Sequence, residues 1–110
     1  MTVIAVPVDP DGSVGHSWGK AEVVAVVTVS DGHVERWVTH EVGWDLAHDS
    51  GTHGSHHARV IRFLRDHDVQ VVLVRHVGEG IRRMLTSAGI DLREGVGGDA
   101  RAAVLAAAAD

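Results

Sequence analysis

The chain has 110 residues, a length that fits one domain, residues 1–110, built from a single sheet with helices packed on it. Its 10 basic and 15 acidic residues give a net charge of −5 with histidines neutral, which argues against a nucleic-acid surface. The absence of cysteine excludes disulfides and thiolate-bound metal centres. The N-terminal segment lacks the basic region of a signal peptide, and no apolar run approaches the roughly 20 residues that span a bilayer, so we expect a cytoplasmic protein without membrane contact.

The first half of the chain predicts three strands. Residues 2–8 read TVIAVPV and form the first strand. The apolar runs EVVAVVTV and VERWVTHEV flank SDGH, which predicts a β-hairpin around an Asp-Gly turn. An edge strand that pairs in a homodimer is one role open to the VVAVV part, and the sequence does not decide it. Residues 43–54 then form a polar loop.

The second half predicts helices that alternate with strands. A helix starting near Ser55 carries one stripe formed by His57, Val60, Ile61 and Leu64. The run VQVVLV, residues 69–74, is typical of an interior parallel strand. A second helix runs from about Gly80 to Gly89, IDLRE forms a short strand, and GVGGD is a turn whose Asp99 caps an Ala-rich final helix. The fold class is therefore α/β, a five-stranded mixed sheet in the order β-β-β-α-β-α-β-α.

This order predicts that histidines distant in sequence meet at one rim of the sheet. The first, third, fourth and fifth strands run in the same direction, so the loops 9–22, 43–55, 75–79 and 95–98 emerge together, where α/β folds usually bind ligands. Six of the nine histidines fall in these loops or directly after them. They are His16, His48, His53, His56, His57 and His76.

These histidines are candidate metal ligands. Four of them lie within HDSGTHGSHH, residues 48–57, where Gly51 and Gly54 would let the loop fold back on itself. Neutral imidazole binds Zn, Cu, Ni, Co or Fe when two or more donors converge. The alternative is a solvated loop in which histidine is an ordinary polar residue. No metalloprotease or zinc-finger spacing is present.

Two glycine-rich loops are candidate anion sites. HVGEGI, residues 76–81, and GVGGD, residues 95–99, each lead from a strand into a helix, and free amides at a helix N-terminus attract anions. The simpler interpretation is that their glycines serve tight turns. Ribonuclease-type two-metal chemistry is disfavoured, because neither the first nor the fourth strand carries an acidic residue before its end.

The segments VIAVPVDPDGSV, WGKAEVVAVVTVSDGHV, the histidine-rich loop and VGEGIRRMLTSAGIDLREGVGGDARAAV resemble the dinitrogenase iron–molybdenum cofactor biosynthesis family. The resemblance covers residues 3 to about 107 and implies a ribonuclease-H-like fold that binds or carries a metal cluster. Nitrogenase itself is not implied.

Two departures from the family pattern bear on the site. The family's His-Phe-Gly-Arg-Ala loop corresponds here to Ser17, Trp18, Gly19, Lys20 and Ala21, and His16 lies one place earlier. The family's Gly-Gly after the fourth strand is Arg75-His76 here. The residues that the resemblance and the glycine loops place near a cofactor are Ser17, Trp18, Gly19, Lys20, Arg75, Gly78, Gly80, Gly97 and Gly98.

We therefore expect a non-enzymatic carrier, without catalytic residues, for a transition metal or an anionic metal-cluster cofactor of the iron–molybdenum type or its precursor, delivered to a protein acceptor. Alanine at both His53 and His57 should abolish metal retention. Two alternatives stay open. A metal-dependent hydrolase would turn over an ester in a chelator-sensitive way, and a regulatory module would change association between about pH 5.5 and 7 without metal.

Overall fold

The computed structural model describes residues 1–44 and 53–109, with the side chains of the first helix described from residue 56 onward. The elements follow the predicted order of strands and helices. They are β1 (Thr2–Pro7), β2 (Val23–Ser30), β3 (His33–Glu41), α1 (His53–Asp66), β4 (Val71–Leu73), α2 (Glu79–Ser87), β5 (Asp91–Arg93) and α3 (Ala100–Ala108). The predicted α/β class with a five-stranded mixed sheet is confirmed. The ribonuclease-H-like designation stays an expectation.

The sheet has the spatial order β3-β2-β1-β4-β5. Strand β2 pairs antiparallel with both β1 and β3, whereas β4 pairs parallel with both β1 and β5. Strands β1, β3, β4 and β5 therefore run in the same direction, as predicted. We call the edge where these four strands end the carboxyl rim.

The hairpin between β2 and β3 turns through Asp31 and Gly32, whose φ angles are 51° and 77°. Two positive φ angles in succession define a turn whose twist matches that of the strands, as the Asp-Gly pair predicts. The prediction that the VVAVV strand forms a sheet edge is wrong, because β2 lies between β1 and β3. Its apolar residues are buried on both faces, which is typical of an interior strand.

Each face of the sheet has its own core, because successive strand residues point to opposite sides. The first face, covered by α1 and α2, buries Val24 and Val26 of β2 together with both Trp18 and Trp44. The second face, covered by α3, buries Ala25, Val27 and Val29 of the same strand against Ala100 and Val104. The first face is thus the aromatic face and the second the aliphatic face.

The helix boundaries follow local signals in the sequence. Helix α1 begins at His53, two residues before the predicted start. It ends at Asp66, and the chain then turns away at Asp68, which has φ 55°. Val69 N donates to Leu64 O at 3.0 Å and Asp68 N donates to Arg65 O at 3.2 Å. Helix α3 is capped as predicted, since the Asp99 carboxylate accepts from Ala102 N at 2.9 Å. None of the helices in the described ranges is both long and apolar enough to cross a membrane.

Candidate functional site

The loops at the carboxyl rim enclose a cleft of about 500 Å³ on the aromatic face. It is formed by the segment after β1, the first turns of α1, and the segment that joins β4 to α2. We call it the histidine cleft. Its lining consists of His16, Ser17, Gly19, Lys20, His56, His57, His76, Gly78, Glu79, Gly80 and Ile81.

The structure brings together four of the six histidines that the sequence placed at this rim. His16, His56, His57 and His76 reach the cleft from three separate segments of the chain. His48 lies outside the described residues, as does the side chain of His53. Their role as ligands stays a prediction. Across residues 1–44 and 56–109, no three His, Asp or Glu side chains converge closely enough to chelate one metal ion.

His56 has protein partners at both ring nitrogens. The side chain is 3% exposed, and its Nε2–H donates to the carbonyl oxygen of Gly19 at 2.7 Å. Because that carbonyl can only accept, Nδ1 of the neutral ring carries the lone pair, which faces Arg59 Nη1 at 3.3 Å. His56 therefore joins α1 to the loop that carries His16 and Lys20. It would bind a metal only by giving up one of these contacts.

The side chain of His57, a residue of α1, packs against the N-terminal turn of α2. A β-carbon added to Gly80 would lie 2.7 Å from Cε1 and 3.3 Å from Nε2 of His57, closer than such atoms approach one another. The imidazole therefore occupies the space that the missing side chain of Gly80 leaves. The half-buried His57 is thus seated against the backbone at a helix start, and its ring position depends on the absence of a side chain at Gly80.

The start of α2 presents free amides to the cleft. Its N-cap residue Gly78 provides no side-chain hydrogen bond, so the amides of the first turn have no cap. The charged side chains in the lining are Lys20 and Glu79, and the Glu79 carboxylate has a cation, Arg83 Nη2, at 3.5 Å. This combination of imidazoles, amides and one lysine favours an anionic or metal-containing ligand.

Four of the predicted cofactor residues do not line the cleft. Trp18 is fully buried, edge-on to Trp44 with ring centroids 5.1 Å apart, so it is a core residue of the aromatic face. Its indole Nε1 is buried without a hydrogen-bond partner among the described atoms. Direct contact between Trp18 and a cofactor is therefore not supported.

Arg75, Gly97 and Gly98 also lie away from the cleft, because the GVGGD loop leads to the aliphatic face. Gly98 O accepts from Val14 N at 2.8 Å, which ties this loop to the segment after β1. The exposed side chain of Arg75 covers Gly97, whose added β-carbon would lie 3.5 Å from Arg75 Nε. This loop packs with its neighbours, so of the two candidate anion loops only the one that leads into α2 lines the histidine cleft.

A larger cavity of about 570 Å³ shares His16, Ser17 and Lys20 with the histidine cleft. It lies on the other side of the 16–20 loop, with Pro7, Val8 and Pro10 in its wall. Two carboxylates, Asp9 and Glu22, also line it. Because carboxylates repel anions, the histidine cleft is the better candidate site for an anionic ligand, although its volume is the smaller of the two.

One histidine pair escaped the sequence analysis. His40, the second-last residue of β3, lies beside His67, with ring centroids 4.5 Å apart. The pair lies below α1, away from the histidine cleft, and shares none of its lining residues. A strand-alternation argument would have placed His40 on the aromatic face, because its register partner is Val24.

Comparison with known proteins is consistent with this architecture. The sequence model of the family described as "Dinitrogenase iron-molybdenum cofactor" matches residues 1–110. Among curated proteins, none has a sequence that matches the chain.

Solved structures of similar fold cover most of the chain. The apo form of the orange protein from Desulfovibrio gigas is 26% identical, covers 94% of this chain and 84% of its own, and has a TM-score of 0.72. PH0822 is 23% identical, with coverages of 96% and 88% and a TM-score of 0.75. TM1290 from Thermotoga is 21% identical, with coverages of 99% and 89% and a TM-score of 0.67. The last two support the fold alone.

Proposed function

Because the chain belongs to the dinitrogenase iron-molybdenum cofactor family, we propose that it binds an anionic, metal-containing cofactor in the histidine cleft and carries it to a protein acceptor. The family and the similarity to the orange protein favour cofactor handling over catalysis. The observation that carries the proposal is the convergence of imidazoles from three chain segments on one cleft beside an uncapped helix N-terminus.

The metal side of such a cofactor would be held by His16, His57 and His76. The segments that carry these histidines follow β1, β3 and β4. The three ligands would therefore surround the cleft and would not lie on one loop. Neutral imidazole is a good ligand for borderline transition metals. The bound group would supply the metal centre that the acceptor uses, while the protein supplies ligands and a protected cleft.

The anionic side would be held by the start of α2 and by Lys20. The amides of the first helical turn point toward the cleft between Gly78 and Ile81, and the helix dipole adds positive potential there. Lys20 adds a mobile cation from the loop after β1. A cleft of about 500 Å³ has room for a polyatomic group, which is larger than a single ion.

His56 and Gly80 would also position these ligands, each through a contact within the protein. The bond from His56 to Gly19 holds the loop that carries His16 and Lys20 against α1. Gly80 makes the space in which the ring of His57 lies. Ligand geometry would therefore depend on contacts behind the ligands as well as on the ligands themselves.

The test is elemental analysis of untagged protein purified without oxygen, for iron, molybdenum, copper and zinc. We expect wild type to retain metal, and His57→Gln combined with His76→Gln to lower retention roughly tenfold or more. His33→Gln is the matched control, because His33 is exposed at the opposite end of β3. Equal metal content in all three proteins would contradict the proposal, as would chelator-sensitive turnover of a generic ester.

A further inference from the structure

A second histidine pair lies in a pocket of about 360 Å³ beneath α1, which we call the far pocket. It includes His40, His67, Asp66, Asp68 and Arg36. We propose that the far pocket binds a divalent transition-metal ion, with Cu²⁺ preferred over Ni²⁺ and Zn²⁺, through the imidazoles of His40 and His67. This site is independent of the proposed function, because it shares no residue with the histidine cleft.

His67 is held in the state that a metal ligand requires. Its Nδ1 lies 2.8 Å from the carbonyl oxygen of Phe63, which can only accept, so Nδ1 carries the proton and donates. The lone pair is therefore on Nε2. A histidine that gives its other N–H to a backbone carbonyl has the arrangement found at most metal-bound histidines.

The distance between the two rings suits a shared ion. Two imidazoles on one metal, with metal–nitrogen bonds of about 2.0–2.1 Å, place their ring centroids roughly 4.5–5 Å apart when they occupy adjacent positions. The centroids of His40 and His67 lie 4.5 Å apart, with the ring planes inclined by 63°. Water would complete the coordination.

The surroundings keep both rings oriented. The ring of Phe63 packs against His40 at 5.4 Å and against His67 at 4.5 Å between centroids. His40 is fixed by β3, and His67 follows the last turn of α1. A bound ion would therefore join α1 to an edge strand of the sheet, across two segments that are far apart in sequence.

The charges around the pair are mixed. Burial, reinforced by the nearby His67 and Arg36, lowers the pKa of His40, which favours the neutral form that binds metal. Asp66 and Asp68 bring negative charge from the end of α1, whereas Arg36 on β3 opposes a cation. Two carboxylates against one guanidinium leave the rim of the pocket favourable to a divalent ion. Cu²⁺ is preferred because it has the highest affinity of the common divalent ions for nitrogen ligands.

The experiment follows binding of Cu²⁺ and the thermal stability of metal-free, untagged protein, with iminodiacetate present to suppress binding to single histidines. We expect His67→Gln and His40→Gln each to weaken one equivalent of binding by roughly tenfold or more. Cu²⁺ should raise the Tm of wild type, of the control His33→Gln and of the cleft variant His57→Gln with His76→Gln, because the ion binds only folded protein. It should not raise the Tm of either far-pocket variant.

An equal copper-induced rise in Tm for His67→Gln and wild type would overturn the proposal. Loss of that rise in the cleft variant alone would also overturn it, since the copper would then lie in the histidine cleft. If a far-pocket variant folds poorly, the ring signals of His40 and His67 in the NMR spectrum of wild type decide. One equivalent of Cu²⁺ should broaden both signals, and unbroadened signals would reject the site.

Discussion

The two helices that begin at the carboxyl rim after parallel strands differ at their first residues. Helix α3 is capped by its own sequence, because Asp99 accepts from Ala102 N at 2.9 Å. The N-cap residue of α2, Gly78, offers no side chain, and histidines surround the first turn of this helix. Helix α3, which has a side-chain cap, packs on the aliphatic face. Helix α2, which has none, lines the histidine cleft. Capping thus distinguishes a helix with a structural role from the helix to which we assign ligand binding in our proposal.

The difference extends to the two cores. The aromatic face encloses the fully buried Trp18 and Trp44 under two helices. The buried residues of the aliphatic face are valine, alanine, isoleucine and leucine under one helix, with the half-buried Trp37 packed against them. The large indoles lie directly behind the loop that lines the histidine cleft. We therefore expect the folding free energy of the domain and the shape of its cleft to be linked on the aromatic face.

The largest effect should come from Trp18→Ala. Trp18 is 0% exposed and packs on Trp44, so its truncation should lower the free energy of unfolding by about 3–5 kcal/mol. Val104→Ala on the aliphatic face removes only two methyl groups and should cost about 1.5 kcal/mol. Urea unfolding of both variants measures the two values. Equal losses would contradict the asymmetry between the faces.

The next effect tests the cap of α3. Asp99→Ala removes the acceptor for Ala102 N and should lower the free energy of unfolding by about 1 kcal/mol. Asp99→Asn keeps a capping oxygen and is the matched control. Neither change should alter metal retention, because Asp99 does not line the histidine cleft. Loss of metal in Asp99→Ala but not in Asp99→Asn would show that the start of α3 takes part in the site.

Local patterns in the sequence predicted most of the fold. Alternating and continuous apolar runs indicated the strands, Asp31-Gly32 indicated the hairpin turn, and Asp99 indicated the last helix start. Each of these signals lies within a few residues of the element that it defines. The convergence of His16, His57 and His76 also followed, because it depends only on strand direction.

The contacts that refine the site could not be predicted in this way. Whether His56 binds metal or donates to Gly19 O depends on a contact between distant segments, which no local pattern encodes. The same holds for His40 and His67, one on a strand and the other after a helix. The edge position considered for β2 could have been rejected from the sequence itself, because a strand that is apolar on both faces belongs inside a sheet.

A smaller effect on stability should come from Gly80→Ala. The new methyl group collides with the ring of His57 at 2.7 Å, and the ring, which lies at the far end of a flexible side chain, should turn away. The free energy of unfolding should change by less than about 1 kcal/mol, because alanine also favours the helix. Metal retention should fall as it does in His57→Gln. Gly78→Ala is the control, since nothing lies within 4 Å of its added β-carbon.

The smallest change in stability should come from Gly78→Asp, which gives α2 the cap that α3 already has. The added carboxylate has space, because nothing lies within 4 Å of a β-carbon at Gly78. It should raise the free energy of unfolding by a few tenths of a kcal/mol, as capping and the helix dipole require. It should also lower metal retention, since it occupies the free amides and repels an anion at the cleft. Gly78→Asn caps without charge and should have the weaker effect on retention. Unchanged metal retention in Gly78→Asp would show that the cofactor does not contact the start of α2. The histidines would then be the sole ligands.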